Sequence, residues 1–520
     1  MMTARILAGL VMLAWVSGAS ARQGASGPEA DWPQWRGPLG IGVAPKSNPP
    51  ITWSETENIR WKVELPGRSH ATPIIWKDRV YVLTAVQTDK EVAPPADAPP
   101  AEGAPPPRPS DGRGPGDGPQ PPPRGGPSAQ DAAAQERPEG QDRPRGEGQP
   151  PPGRGEGQPP PGRGDGPPSG RGGPPGGFPG RGPRRPTHIY RFSVLALDRA
   201  TGKTIWEKVV KEELPHEAGH QDASQASCSP LTDGQHLYAF FGSRGLYCLT
   251  MDGQVKWEKD LGDMRTRNGF GEGSSPALHG DTLVITWDHE GDSFIVALDK
   301  NTGQEKWRKP RDESTSWATP LIVEHGGKAQ VIASATNRVR SYDLATGDVL
   351  WECAGMTGNV VPTPMHRDGT VYAISGFRGA ALLAIKLAEA RGDITNTPAV
   401  AWKYDKDTPY VPSAVLTPER MYFVQNNNGI LTCLNAKTGE KVFGPQRLDS
   451  IKGVYASLVA ASDRVYLAGR NGHTVVFKDA PSYEQLADNV LDDVFNASPA
   501  IAGDELYLRG EKRLYCIARP

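Results

Sequence analysis

The sequence predicts an all-β chain folded as an eight-bladed β-propeller. Three observations predict it: one hairpin phrase recurs along the 520 residues, a small-residue–proline anchor precedes each copy, and the last repeat lacks a strand that is present near the start.

The phrase reads ALDRATGKTIW from Ala196 to Trp206, ALDKNTGQEKW from Ala297 to Trp307, SYDLATGDVLW from Ser341 to Trp351 and CLNAKTGEKVF from Cys433 to Phe443; CLTMDGQVKW, Cys248 to Trp257, shortens the turn. Apolar and polar residues alternate before the turn, as in a strand with one face buried. Asp198, Asp299 or Asp343 then bends the chain, and Gly202, Gly303 or Gly347 supplies a position open to positive φ. The returning strand ends in Trp206, Trp257, Trp307 or Trp351, a large apolar surface suited to packing on the next unit.

The anchors are Thr72-Pro73, Ser229-Pro230, Ser275-Pro276, Thr319-Pro320, Thr363-Pro364 and Ser498-Pro499, with Ser413 and Ser457 standing alone in two further repeats. Proline as the first residue of a strand removes no ladder bond, so each can start one. An aliphatic-aromatic pair such as Val80-Tyr81 or Leu237-Tyr238 marks the second strand. Six of the seven intervals between anchors lie between 42 and 49 residues, the period of a four-stranded, WD40-like blade. The eighth repeat stops after Ile517, and the segment around Trp61 supplies its fourth strand, which leaves the ring without a free edge.

The single propeller is therefore assigned to residues 31–90 and 188–520. The segment 91–187 is an insert within blade 1: 52 of its 97 residues are Pro or Gly, its 12 Arg balance 12 acidic residues, and Phe178 is its one aromatic. Such a composition cannot bury enough apolar surface to order itself, and disorder is expected. Residues 1–21 read as a secretory signal peptide, with Arg5, an apolar run from Ile6 to Val16 and a small-residue cleavage site at Ala19-Ser20-Ala21. Export to the periplasm or beyond is expected, with no membrane span. A formal net charge of −2 gives no electrostatic case for nucleic acid.

Five cysteines do not suggest a disulfide framework. Cys248, Cys433 and Cys516 fall at the strand position that Ala297 and Ala384 occupy elsewhere, which reads as small core packing. His216-Glu217-Ala218-Gly219-His220 satisfies HExxH, but Pro215 and Gly219 exclude the helix that a zinc protease needs, so a polar loop is expected. No metal site is expected.

Alternating strands put the links into each blade's first strand at one mouth of the ring. Those links carry Arg68, His70, His220, Gln225, Arg267, Asn268, Glu272, Trp317, Asn359, Tyr410 and Tyr455, the candidate ligand-binding set. A protein, peptide or glycan is the expected partner, on a monomeric chain.

The phrase Ala-x-Asp-x-x-Thr-Gly-x-x-x-Trp resembles the tryptophan-docking motif of PQQ-like repeat propellers, and Asp31-Trp-Pro-Gln-Trp-Arg-Gly-Pro38 resembles the opening of exported bacterial members. The resemblance implies an eight-bladed fold. It also implies two kinds of relative: quinoprotein dehydrogenases, which hold pyrrolo-quinoline quinone (PQQ) with calcium, and non-catalytic propellers such as the outer-membrane assembly lipoprotein. The adjacent Cys-Cys pair of the alcohol-dehydrogenase branch is absent. A binding or interaction scaffold with no catalytic residues and no cofactor is the expectation, and a PQQ-dependent oxidoreductase is the alternative.

Overall fold

The computed structural model describes residues 30–92 and 186–520. The signal peptide expected at 1–21 and all but the ends of the insert expected at 91–187 lie outside the described residues.

Eight small antiparallel sheets form the eight blades of a β-propeller. Blade 1 comprises Ile74–Trp76, Arg79–Glu91, His188–Asp198 and Thr204–Glu213. Its second and third strands stay paired out to Glu91 and His188, and Val92 N–H donates to Thr187 O at 2.7 Å, so the insert leaves as a strand 2–3 connection. Blade 8 comprises Ala500–Ala502, Glu505–Arg509 and Arg513–Ile517, and Ile59–Glu64 joins it as the outer strand, with Trp61 opposite Cys516. The predicted closure of the ring is thus present.

The hairpin phrase acts as read, and its chemistry can be followed atom by atom. Asp198 Oδ1 accepts from Thr201 N–H at 2.8 Å and from Thr201 Oγ1 at 2.7 Å, which turns the chain. Gly202 follows at φ +72°, and a Cβ there would stand 2.6 Å from the Trp61 ring of the preceding blade. Trp61 Nε1 donates to Arg199 O at 2.8 Å. The same docking recurs from Trp206 to Met251 O, Trp257 to Lys300 O, Trp307 to Leu344 O and Trp402 to Lys437 O, each on the following blade. Each aromatic faces a small residue in its own blade: Ala196, Cys248, Ala297, Ser341, Ala384, Cys433 or Cys516. That pairing explains Cys248, Cys433 and Cys516; all five cysteines are free and buried.

Trp351 departs from the pattern. Its Nε1 donates to Gln330 Oε1 within its own blade at 3.2 Å, and Gly392–Asp393 adds a parallel edge strand beside it. The ring still packs toward blade 5, among Leu383, Ile385 and Ile394, but no Thr-Gly turn receives it there.

The opening segment has a structural role that composition did not suggest. Trp32 bridges Ile75 of blade 1, Thr232 N–H of blade 2 donates to Pro33 O, Leu416 N–H of blade 6 donates to Ile41 O, and Val43–Ala44 pairs in parallel with Val459–Ala461 of blade 7. Residues 31–44 therefore cross the innermost strands and plug the ring from within. The buried Arg36 guanidinium staples the plug by donating to Leu458 O at 2.7 Å and to Ala414 O. Gly42 is required beneath it, because a Cβ there would overlap Arg36 Nη2.

Candidate functional site

The anchors build the throat of the site. Thr72 N–H donates to Ser229 Oγ at 3.0 Å, Ser229 N–H to Ser275 Oγ at 2.9 Å and Ser275 N–H to Thr319 Oγ1 at 3.0 Å. The chain of bonds resumes from Thr363 to Ser413, Ser413 to Ser457 and Ser457 to Ser498. Six of the eight hydroxyls thus accept from the backbone of the preceding blade where an inner strand begins, and Thr72 Oγ1 instead donates to Ser498 O at 3.1 Å, so a small hydroxylated residue recurs at this position. Between Thr319 and Thr363 the plug intervenes, and Thr363 Oγ1 accepts from Trp35 Nε1 at 2.8 Å.

Above this ring lies a chamber of about 250 Å³, to which all eight links and the plug contribute. Trp35 and seven of the eight anchor hydroxyl residues line it, with His70, His220, Asp222, Phe270, Glu272, Trp317, Tyr410, Tyr455 and Asn496 around the walls. Of the eleven residues expected at the mouth, His70, His220, Glu272, Trp317, Tyr410 and Tyr455 meet in this space.

The other five stand outside the lining. Arg68 pairs with Glu511 at 2.8 Å. Gln225 donates to Glu217 O and Ala218 O. Arg267 donates to Asn359 Oδ1 at 3.1 Å, which occupies both residues. Asn268, at φ +55°, shapes the short turn Arg267–Gly269. Sequence position put all of them in links, but polar side chains in links also serve to hold the links to one another.

The wall is organised around Asp222. Arg470 Nη2 donates to its Oδ1 at 2.6 Å and Tyr455 Oη to its Oδ2 at 3.1 Å, while the Arg470 guanidinium lies 4.5 Å from the Tyr455 ring centre. Burial is the largest single influence on Asp222 and opposes its charge, but the hydrogen bond and charge of Arg470, with the Tyr455 hydrogen bond and His220, together outweigh it and keep the carboxyl below its ordinary range. Burial, reinforced by Asp222, pushes the Tyr455 phenol up to about 12. His70 is pushed down to about 3, first by burial and then by Arg68, Arg509 and Arg470, so its ring is neutral. Glu272 shifts the other way: burial raises its carboxyl, although Ser243 N–H at 2.6 Å and Ser243 Oγ at 2.5 Å both donate to it.

The HExxH segment is a loop, as expected from Pro215 and Gly219. His216 Nε2 lies 2.6 Å from Met264 O, and Glu217 accepts from Thr266 N–H and Thr266 Oγ1. Both side chains fasten the link after blade 2.

The calcium-bound quinone implied by the family resemblance can be tested against these donors. Calcium takes about six to eight oxygens, usually with several carboxylates among them. Only Asp222 and Glu272 bring carboxylates to the chamber, each already holds two donors, and no group of three His, Cys, Asp or Glu side chains suited to a metal gathers among the described residues. The donor set does not fit that group.

Trp35, Phe270 and the hydroxyl ring join the lining beyond the expected eleven, as do Asp222 and Asn496, which the sequence also places in the links. The hydroxyls were visible as a repeated Ser/Thr before proline. Trp35 had no such signal, because its contribution depends on where the plug crosses the ring.

Comparisons with known proteins agree with the architecture. Residues 191–445 match the family model described as outer membrane protein assembly factor BamB. A BamB from Francisella salina is 26% identical over 106 residues, 20% of this chain and 18% of that protein. A 1-butanol dehydrogenase (quinone) from Thauera butanivorans is 28% identical over 136 residues, 23% and 20% of the two lengths. The chain thus spans about a fifth of each of these relatives. A europium-containing methanol dehydrogenase shares the fold, with a TM-score of 0.53 and 9% identity over 92% of this chain and 89% of that one. With its recurring docking phrase, its eight sheets and these matches, the chain belongs to the PQQ-like repeat β-propeller family.

Proposed function

We propose that this protein is an exported, non-catalytic propeller that works as a binding scaffold, taking a small ligand or the end of a larger partner into the mouth chamber. The observation that carries this reading is the chamber itself, to which every link contributes and which Trp35 closes from beneath. Convergent polar groups beside aromatic rings in one cavity are a usual form of a ligand site. Export is supported by the leader read at 1–21 and by a relative named for outer-membrane assembly.

A thermal-shift screen of the purified chain against small-molecule, peptide and glycan libraries tests it. Stabilisation by a library member in the wild type, and its disappearance in Trp317→Ala, is the expected outcome. Hits unaffected by Trp317→Ala would place binding elsewhere and overturn the reading. The quinone oxidoreductase reading draws on the butanol dehydrogenase stretch and the methanol dehydrogenase fold. Adding PQQ and calcium, then measuring dye reduction with alcohols, decides it, and no reduction is expected.

A further inference from the structure

We infer that the chamber recognises a neutral polyhydroxylated ring, a sugar, presented end-on from the mouth. This rests on the reading of the chamber as a binding site and names its ligand class.

The aromatic side chains point to the first half of that recognition. Trp35 Nε1 is committed to Thr363 Oγ1, Trp317 Nε1 to Gly271 O at 2.7 Å and Tyr455 Oη to Asp222; Tyr410 Oη lies 3.5 Å from Asn359 Nδ2. With the indole N–H used within the protein, what Trp35 and Trp317 offer a ligand is their faces; Tyr455 already carries the Arg470 guanidinium over its ring, and Tyr410 packs on Phe377 at 4.8 Å between ring centres. A pyranose has a C–H face that packs on such a surface, and packing on an aromatic face needs no charge.

The polar groups point to the second half. A hydroxyl carries one proton and two acceptor sites. Ser229, Ser275, Ser413 and Ser457 each use one acceptor site on a neighbouring backbone N–H and keep the proton for the cavity. Asp222 keeps acceptor capacity beyond Tyr455 and Arg470. Donors and acceptors are thus interleaved around one small space, which suits a ligand whose own groups both donate and accept.

Charge argues against the alternatives. Arg68 and Arg470 are paired with Glu511 and Asp222, and the chamber lining includes Asp222 and Glu272 but no Arg or Lys, so an anion meets carboxylates there and no cationic side chain on the wall itself. A cationic ligand finds Asp222 already neutralised by Arg470. Trp35 and the plug block passage through the ring, so a glycan enters by its end and does not thread.

The test is calorimetric titration of the purified chain with glucose, cellobiose, N,N′-diacetylchitobiose, glucuronate, glucosamine and two uncharged tripeptides, with tryptophan fluorescence in parallel. Expected is saturable binding of at least one neutral sugar, changed less than about twofold between about 50 and 500 mM salt. Affinity should fall at least about tenfold, ~1.4 kcal/mol, in both Trp317→Ala and Asp222→Asn. Circular dichroism and melting checks that both variants fold; if Trp317→Ala does not, Asp222→Asn decides. Binding confined to glucuronate, glucosamine or a peptide, and lost in Asp222→Asn, would overturn the neutral-sugar class and leave the chamber as a site. Sugar binding indifferent to the variants would overturn the chamber's role. No binding by any probe overturns the sugar class, and the library screen then decides the chamber separately.

Discussion

The two ends of the blades use the same strands for opposite purposes. At the hairpin end, five indoles repeat one arrangement: a ring over the glycine of a hairpin turn, Thr-Gly in four and Asp252-Gly253 beneath Trp206, its N–H on a backbone carbonyl of the next blade. At the mouth no two links carry the same side chains, although all start from one hydroxyl ring. Repetition serves the blade-to-blade interface, which presents the same packing problem around the ring. Variety is affordable at the mouth because the hydroxyls beneath it already hold the inner strands in place. The comparison predicts that hairpin-end substitutions damage stability and mouth substitutions damage binding.

The largest effect is expected from Trp307→Ala, which empties a buried contact between blades 3 and 4 and frees Leu344 O. A loss of about 3–5 kcal/mol is expected by chemical denaturation. A loss as small as that of a surface substitution would break the comparison at its hairpin end.

Ser275→Ala comes next. It strips the acceptor from Ser229 N–H at the throat and should cost about 1–3 kcal/mol. The same change at Thr363, whose hydroxyl receives an indole from the plug rather than a backbone N–H, should loosen residues 31–44 first, read as faster amide exchange in that segment.

A smaller effect concerns pH. His70 is held at about 3 in the fold, below the 6.5 of a free histidine. Between those values the unfolded chain binds the extra proton, so stability falls as pH drops from 6.5 toward 3. His70→Gln should flatten that part of the stability profile relative to wild type, while leaving stability above pH 7 nearly unchanged. The smallest change is expected for Tyr455→Phe, which removes one bond to Asp222 and should cost about 0.5–1.5 kcal/mol in melting studies.

The hairpin end was almost wholly legible in the sequence, because its parts are local. Asp198, Thr201, Gly202 and Trp206 lie within nine residues, and the turn they make needs no partner to be inferred. The closing strand at Trp61 was legible by counting. Trp351 was not, since its partner depends on the added edge strand at Gly392–Asp393 rather than on a turn. At the mouth, the links could be located but their side chains could not be sorted. Arg68 and Tyr455 look alike as polar link residues, and only the positions of Glu511 and Asp222 decide which one faces the chamber. Trp35 was hidden for the strongest reason: it lies far from every link in sequence, and the plug brings it to them.

Hydrogen–deuterium exchange of the chain with and without the strongest stabilising compound from the library screen tests the division most directly. The expected result is slowed exchange in the links around 219–223, 270–273, 316–318, 410–411 and 455–457, with the hairpin turns at 199–203, 300–304 and 344–348 unchanged. Protection at those turns with the links unaffected would contradict it.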